Sequence, residues 1–170
     1  MSAAGLFANE RVELLDGTIV TMSAQSSPHA GTVHRLHRVL ARTFGDAACV
    51  RMQAPVVLND WSEPEPDVTA CAADRYDYTR AHPLPTQILL VCEVSLSSLD
   101  YDRSEKARAY AASGIPEYWI VDVESRVIHV LADPDPATGR YRREERISEP
   151  DTVLAPGGAP LAVADILPPR

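Results

Sequence analysis

The stretch ILLVCEVSLSSLDYDRSEKARAYAASGIPEYWIVDV, residues 88–123, combines three patterns that together decide the fold class. Residues 88–95 are a nearly continuous apolar run of strand length, which is typical of a strand buried on both faces of a sheet. Residues 99–113 follow helical spacing and end before Gly114, and residues 117–123 again have a strand pattern. A buried strand, a helix and a second buried strand predict an α/β or α+β fold built on a mixed sheet flanked by helices.

The flanking sequence extends this pattern in both directions. Asp16-Gly17 lies between two short apolar runs, which predicts an N-terminal β-hairpin over residues 10–23. Residues 26–44 carry apolar side chains at helical spacing, so a helix that ends at Gly45 is expected. Further strands are predicted over residues 49–58, 67–72 and 126–133, with one or two edge strands in the tail after residue 140.

The length and charge of the chain limit its organisation and its partners. A chain of 170 residues fits one domain, covering residues 1–170. It carries 16 Lys and Arg against 24 Asp and Glu, for a net charge of −8. A protein that binds nucleic acid by neutralising phosphates usually has a basic stripe, so this charge argues against a tight, non-specific binder. A nucleic-acid substrate requires a local basic patch or metal ions.

Targeting signals and cysteine usage indicate a cytoplasmic protein. No apolar run reaches the roughly 18 residues needed to cross a bilayer. Residues 1–15 lack the basic region and apolar stretch of a secretory signal. Cys49, Cys71 and Cys92 are far apart and odd in number, which fits neither a disulfide framework nor a zinc site. We therefore expect reduced thiols, a cytoplasmic location and no membrane partner.

Two acidic residues stand in stretches that otherwise have the pattern of buried strands. Glu93 lies near the end of the most apolar strand, and Asp67 opens another strand directly after EPEP. An unpaired buried charge is costly, so these carboxylates need a partner. If the two strands are neighbours, both carboxylates can point into one cleft, where a hard divalent cation such as Mg²⁺ suits them. A cation held in this way can polarise a phosphoryl oxygen and activate water.

Lys106 is the only lysine, and the other fifteen basic residues are arginine. It lies on the helix that follows the Glu93 strand, and Asp102 stands four residues before it on the same helix face. A lysine that reaches over the carboxylate cleft can orient an attacking water or stabilise charge on a phosphate. An ordinary surface ion pair between Asp102 and Lys106 accounts for the same spacing, so both interpretations stay open.

Three segments closely resemble the Uma-type family, whose members are regarded as endonucleases of the restriction-endonuclease-like PD-(D/E)XK superfamily. They are VELLDGTIVTMS…SPH, EPDVTA (65–70) and CEVSLSSLDYDRSEKARAYAASGIPEYWIVDV (92–123), in the family's order and spacing from about Val12 to about Leu131. The resemblance implies a four- or five-stranded mixed sheet flanked by helices. It also implies cleavage of phosphodiester bonds that depends on Mg²⁺ or Mn²⁺.

The resemblance also assigns roles to individual residues. Asp67 ends the PD dipeptide and becomes a metal ligand, Glu93 matches the acidic residue of (D/E)XK, and the backbone carbonyl of Val94 is a third ligand. Ser95 stands where the superfamily pattern has its lysine, and Lys106 on the following helix takes that place. The resemblance thus implies that Asp67, Glu93 and Lys106 are the catalytic residues.

Three further residues are candidates for supporting contacts. Glu13 lies in the first hairpin, where it faces the cleft as a metal or water contact or is simply a solvated strand residue. His29 follows Ser-Pro at the helix start, where contact with phosphate, capping and packing are all consistent with its position. Asp102 precedes Lys106 by about one helical turn.

Leu96 departs from the family, in which an acidic residue is common at this position.

The favoured function is a Mg²⁺- or Mn²⁺-dependent endonuclease that acts on nucleic acid, with DNA as the favoured substrate, and that assembles as a homodimer or higher homo-oligomer. The alternative is a catalytically inactive interaction or regulatory module that keeps the nuclease fold. The acidic net charge and Leu96 favour this alternative. Hydrolysis of a small phosphodiester is a third interpretation, which the acidic charge tolerates better.

Overall fold

The computed structural model describes residues 11–22 and 24–169. Residues 1–10, on which the expected absence of a secretory signal largely depends, lie outside the described residues. The same holds for Glu10 and Ser23 at the two ends of the predicted hairpin, and for Arg170 at the end of the predicted domain.

Strands and helices follow one another largely as the sequence patterns predict. The strands are β1 Val12–Leu15, β2 Thr18–Thr21, β3 Ala48–Met52, β4 Val68–Ala72, β5 Ile88–Ser95, β6 Glu117–Asp122, β7 Val127–Asp135, β8 Arg140–Ser148, β9 Thr152–Leu154 and β10 Pro160–Ala162. The helices are α1 Ser27–Phe44, α2 Leu99–Tyr101, α3 Ala107–Ala112 and α4 Val163–Ile166, with a π-helical turn, Asp102–Lys106, between α2 and α3. Short 3₁₀ turns occur at Gly45–Ala47 and Pro85–Gln87.

Within the described residues, six strands form one mixed sheet in the order β3-β4-β5-β6-β7-β8. β5 and β6 are parallel, and the other neighbouring pairs are antiparallel. A parallel pair needs a crossover connection, which the helical segment between β5 and β6 supplies. β1 and β2 form the N-terminal hairpin. The predicted class, a mixed sheet flanked by helices with an N-terminal hairpin, is confirmed.

The number of strands differs from the four or five that the family resemblance implied. The difference arises because β8 pairs with β7 along nearly its whole length and adds an edge strand to the sheet. Its arginines and glutamates stand mostly exposed. A charged edge strand lacks the apolar alternation by which strands are recognised, and such charges also protect an edge from unwanted pairing.

Both faces of the sheet are covered. Trp119 and Val121 point into a cluster with α1 and α4, whereas Tyr118 and Ile120 point into a second cluster with α3. Because both faces are buried, β5 and β6 have nearly continuous apolar sequences. Among the helices formed by the described residues, none has both the length and the apolar composition that crossing a bilayer requires.

The strand predicted over residues 49–58 is shorter in the structure. β3 ends at Met52, and Gln53 adopts a left-handed conformation with φ of 49°. Val56 and Leu58 beyond it are nevertheless buried core residues. Burial of these side chains therefore produced a strand-like sequence pattern without an extended strand.

Candidate active site

A cavity of about 330 Å³ opens beside the carboxyl end of β5. The hairpin β1–β2, the start of α1 and the helical segment after β5 meet around it. Its wall contains the side chains that the sequence predicts as catalytic or supporting: Glu13, His29, Asp67, Glu93, Asp102 and Lys106. Tertiary structure thus brings together residues that lie far apart along the chain.

Asp67, directly before β4, and Glu93 on the antiparallel neighbour β5 lie side by side. Val68 is opposite Cys92 in the β4–β5 register, so the two carboxylates are carried by the next residues outward. The Asp67 N–H donates to Glu93 Oε2 at 3.4 Å, and the Val94 N–H donates to Asp67 Oδ2 at 2.9 Å. Both side chains are buried. The backbone of each strand therefore holds the carboxylate that the other strand carries.

Lys106 forms ion pairs with two buried carboxylates. Its Nζ lies 2.9 Å from Glu93 Oε1 and 3.4 Å from Glu13 Oε1. Burial lowers the pKa of Lys106, but Glu93 and Glu13 more than offset that effect, so the pKa is raised and the ammonium form is favoured. Asp102 and Lys106 are only 3% and 6% exposed. The interpretation of their spacing as an ordinary surface ion pair is therefore wrong.

Asp102 is held by serine hydroxyls at the start of the helical segment. The Ser98 hydroxyl donates to Asp102 Oδ2 at 2.6 Å and lies 3.4 Å from the Ser95 hydroxyl. Burial raises the pKa of Asp102, and the hydrogen bond from Ser98 and the charge of Lys106 oppose this shift. Ser95, which the family resemblance places at the lysine position of the superfamily pattern, thus belongs to the network that orients Asp102.

Two donors from the helical segment after β5 reach Glu93. Lys106 ends the π-helical turn, and Tyr110, one helical turn later, donates its hydroxyl to Glu93 Oε1 at 2.9 Å. Two donors therefore meet Oε1, while Oε2 faces the backbone of Asp67. Burial raises the pKa of Glu93 to about 8; Lys106 opposes the shift, and Asp67 and Asp102 add to it.

Tyr110 is a site residue that the sequence did not reveal, its only signal being its spacing from Lys106. We expect Tyr110→Phe to lower the free energy of unfolding by about 1.5–3 kcal/mol, because the buried Glu93 carboxyl loses a donor. Chemical denaturation in metal-free buffer measures this loss.

Tyr118→Phe is the matched control for this prediction. Tyr118 is equally buried and packs against the Tyr110 ring, but its hydroxyl donates to the neutral Asp102 carbonyl at 3.1 Å. Its removal is expected to cost about 0.5–1.5 kcal/mol. Equal losses in the two variants would contradict a specific role of Tyr110 at the carboxyl group.

Glu13 is a buried cavity residue rather than a solvated strand residue. It is 4% exposed, its Oε1 pairs with Lys106, and its Oε2 accepts the Glu65 N–H at 3.2 Å. The hairpin β1–β2 positions it, because alternate residues of β1 point inward. The hairpin thus supplies part of the charged wall in addition to covering the sheet.

His29 contacts two of the groups that the family resemblance implies as metal ligands. Its Nε2 lies 3.1 Å from Asp67 Oδ2. The hydrogen bond with Asp67 raises the pKa of His29 against the effect of burial, and the backbone of Val94 raises it further. The cap of α1 uses the His29 backbone N–H, which donates to the Ser26 hydroxyl. The imidazole is therefore free of the capping role and faces the cavity.

The donor set of this cavity fits a divalent cation. In the part of the chain that the structure describes, four buried carboxyl groups line it beside one buried lysine, so carboxyl groups outnumber the buried ammonium group. No three or more His, Cys, Asp or Glu side chains among residues 11–22 and 24–169 are grouped so that they could hold a metal ion. Mg²⁺ commonly uses only one or two carboxylates and keeps several waters. Asp67, Glu93 and the Val94 carbonyl provide oxygen donors of that kind.

The mixed sheet covered by helices on both faces, with a parallel central pair and an N-terminal hairpin, is a fold that also occurs in a solved structure. A crystal structure from Anabaena variabilis ATCC 29413, described as "a putative nuclease belonging to DUF820", matches with a TM-score of 0.71. The match covers 92% of this chain and 89% of that chain at 14% sequence identity, so it bears on the fold alone.

The chain belongs to the Uma2 family. The family model, described as "Putative restriction endonuclease", matches residues 6–165. The comparison with curated proteins finds no match.

Proposed function

We propose that this protein is a Mg²⁺- or Mn²⁺-dependent endonuclease that hydrolyses phosphodiester bonds in DNA, and that it acts as a homodimer in which two cavities serve two strands. The observation that carries this proposal is the buried contact of Asp67, Glu93 and Lys106 in one cavity. Membership of the Uma2 family and the likeness in fold to the Anabaena protein support a nuclease.

In this proposal, Asp67, Glu93 and the Val94 carbonyl hold the cation. The chemistry that the cation supplies when bound is polarisation of a phosphoryl oxygen and a lowered pKa of water. Lys106, held between Glu93 and Glu13, opposes the rise in the pKa of Glu93 that burial causes and provides N–H donors where charge develops on the phosphate. Hydrogen bonds to both Asp67 and Glu93 hold these carboxylates in place for binding.

The interaction-module alternative draws support from the net charge of −8 and from Leu96, which lines the cavity. The free-energy cost of burying several charged groups together argues against the interaction module. Well-packed apolar residues in place of a buried ion pair are often neutral or stabilising. A cavity with a purely structural role would therefore gain nothing from Asp67, Glu93 and Lys106.

The test is a calorimetric titration of the full-length protein with Mn²⁺, followed by cleavage assays on DNA and RNA in Mg²⁺ and in Mn²⁺. We expect saturable Mn²⁺ binding, and cleavage that stops when EDTA removes the metal and returns when Mg²⁺ is added in excess. Metal removal should have this effect because the excess carboxylate charge otherwise repels phosphate.

Glu117→Gln is the matched control. Glu117 is partly buried and accepts the Trp119 indole N–H at 2.6 Å, at the start of β6 and thus at the opposite end of the sheet from the cavity. Mn²⁺ binding should be unchanged in this variant. Absence of saturable binding in the wild type would contradict the proposed site and favour the interaction module. Binding without cleavage of any nucleic acid would favour a small phosphodiester as substrate.

A further inference from the structure

Two of the three cysteines face each other across adjacent strands. Cys49 on β3 and Cys71 on β4 are directly opposite in the antiparallel register, and both are free thiols. Opposite residues share a face of the sheet, and both belong to the side that α3 covers. Cys92 packs on the other face, in the cluster with α1. The sheet therefore separates Cys92 from the pair.

The position of this pair in the ladder determines how a disulfide between the two strands would fit. The Gln53 N–H donates to the Asp67 carbonyl at 3.0 Å, and hydrogen-bonded pairs recur at every second residue of an antiparallel ladder. Cys49 and Cys71 therefore also form a hydrogen-bonded pair, whose Cα atoms lie roughly 5.5 Å apart. Disulfides span Cα separations of about 4.4–6.8 Å, but their Cβ atoms lie only about 3.5–4.5 Å apart. The Cβ atoms of a hydrogen-bonded pair lie near the upper end of about 4.5–5.5 Å, so the bond draws the edge strand β3 towards β4. A disulfide formed in this way is strained and is therefore readily reduced.

The two thiols differ in access. Cys49 is partly exposed on the edge strand, whereas Cys71 is fully buried. Burial raises the pKa of both thiols, that of Cys71 to about 12, and Arg51 acts in the opposite direction on both. Tyr78 packs in the same cluster and donates its hydroxyl to the Ala72 carbonyl, so a hydrogen-bonded turn lies over Cys71. An external reagent therefore meets Cys49 first.

We propose that Cys49 and Cys71 form a reversible cross-strand disulfide when the protein meets a low-molecular-weight disulfide such as oxidised glutathione. The proposal is independent of the nuclease activity. It concerns the edge of the sheet, where a bond would join β3 to β4, the strand that follows Asp67. A reducing compartment would keep this bond transient.

The chemistry proceeds in two exchange steps. The Cys49 thiolate attacks one sulfur of the reagent, an S–S bond to Cys49 forms, and one glutathione thiolate leaves and takes up a proton. The Cys71 thiolate then attacks the Cys49 sulfur and expels the second glutathione thiolate, which is protonated in turn. Two electrons pass from the cysteines to the reagent, which ends as two thiols. Because only the thiolate reacts, mildly alkaline pH accelerates both steps.

The test uses the full-length protein, incubated with oxidised glutathione at mildly alkaline pH and then alkylated with iodoacetamide under denaturing conditions. Intact mass and peptide mapping are the readouts. We expect one alkylated cysteine per chain in place of three, and a peptide that links Cys49 to Cys71. The mass of the treated chain, after subtraction of the alkyl groups it carries, should be two hydrogen atoms below that of the reduced chain. Dithiothreitol should reverse all three changes.

Two variants separate the steps. Cys92→Ala should react as the wild type does, whereas Cys71→Ala should stop at a stable glutathione adduct on Cys49. Three alkylated cysteines in the treated wild type, a bond that includes Cys92, a bond between two chains, or a lasting adduct on wild-type Cys49 would each overturn the proposal. The wild-type result decides it even if a variant folds poorly.

Discussion

Replacing Glu93 by glutamine is expected to abolish saturable Mn²⁺ binding and to lower the rate of phosphodiester cleavage by more than about a hundredfold. The amide keeps the size of the side chain but removes the charge beside Asp67. Residues that only orient a metal ligand cost about 10–100-fold in affinity or activity when they are replaced, so loss of the ligand itself should cost more. Asp67→Asn should have the same effect. Calorimetry and cleavage assays on the same samples measure both losses.

Glu93→Gln should also change how stability depends on pH in metal-free buffer. Burial raises the pKa of Glu93 to about 8, so the folded protein binds this proton more tightly than the unfolded chain does. The stabilisation from this carboxyl is therefore complete below its ordinary pKa of about 4.3 and is lost as the pH rises through 8. The free energy of unfolding of the wild type should fall across this window, and glutamine should remove that part of the slope.

Glu117→Gln again provides the comparison, since it removes a partly buried glutamate without touching the cavity. It should bind Mn²⁺ and cleave as the wild type does. If Glu93→Gln binds Mn²⁺ with wild-type affinity, Glu93 is not a ligand. If it keeps the full pH slope, the buried carboxyl does not titrate in this range.

Lys106→Met is expected to lower the free energy of unfolding by about 3–5 kcal/mol, because it leaves Glu93 and Glu13 buried without their cation. Cleavage should fall by about 10²–10³-fold, the usual cost of removing one donor from developing charge. Mn²⁺ binding should be retained or strengthened, because a competing positive charge is gone. Chemical denaturation, cleavage rates and calorimetry test these three effects separately.

Arg103→Met is the matched control on the same helical segment. Arg103 pairs with Glu144 at 2.8 Å, but both side chains are more than 40% exposed, so the loss should be about 0–1 kcal/mol. Combining Lys106→Met with Glu93→Gln should recover part of the lost stability, because the variant no longer buries that unpaired charge. A cost for Lys106→Met as small as that of Arg103→Met would refute the buried ion-pair account.

The core of the fold was predictable because its signals are local. The apolar runs of β5 and β6 and the helical spacing between them can be recognised over short windows. β8 was predicted only as one of one or two edge strands in the tail, since its mostly exposed charges carry little apolar alternation. Residues 53–58 were predicted as part of a strand but form an irregular segment, because their buried side chains give a strand-like sequence pattern.

The candidate site was predictable to a similar degree. Asp67 and Glu93 could be recognised because a charge in an apolar strand is costly unless it has a partner. Lys106 could be recognised because it is the only lysine. Tyr110 and the burial of Glu13 could not be inferred, since each depends on how a helix or a hairpin packs over the sheet.

Periodicity and composition along the chain were enough to specify the order of elements and the charges that had to be buried, because these depend on neighbours within a few residues. Contacts between distant segments were decided by packing in three dimensions. The register that sets Asp67 beside Glu93, the packing that brings Lys106 and Tyr110 to one oxygen of Glu93, and the pairing of Cys49 with Cys71 are of this kind. Each depends on a separation in space, which the spacing along the chain does not determine.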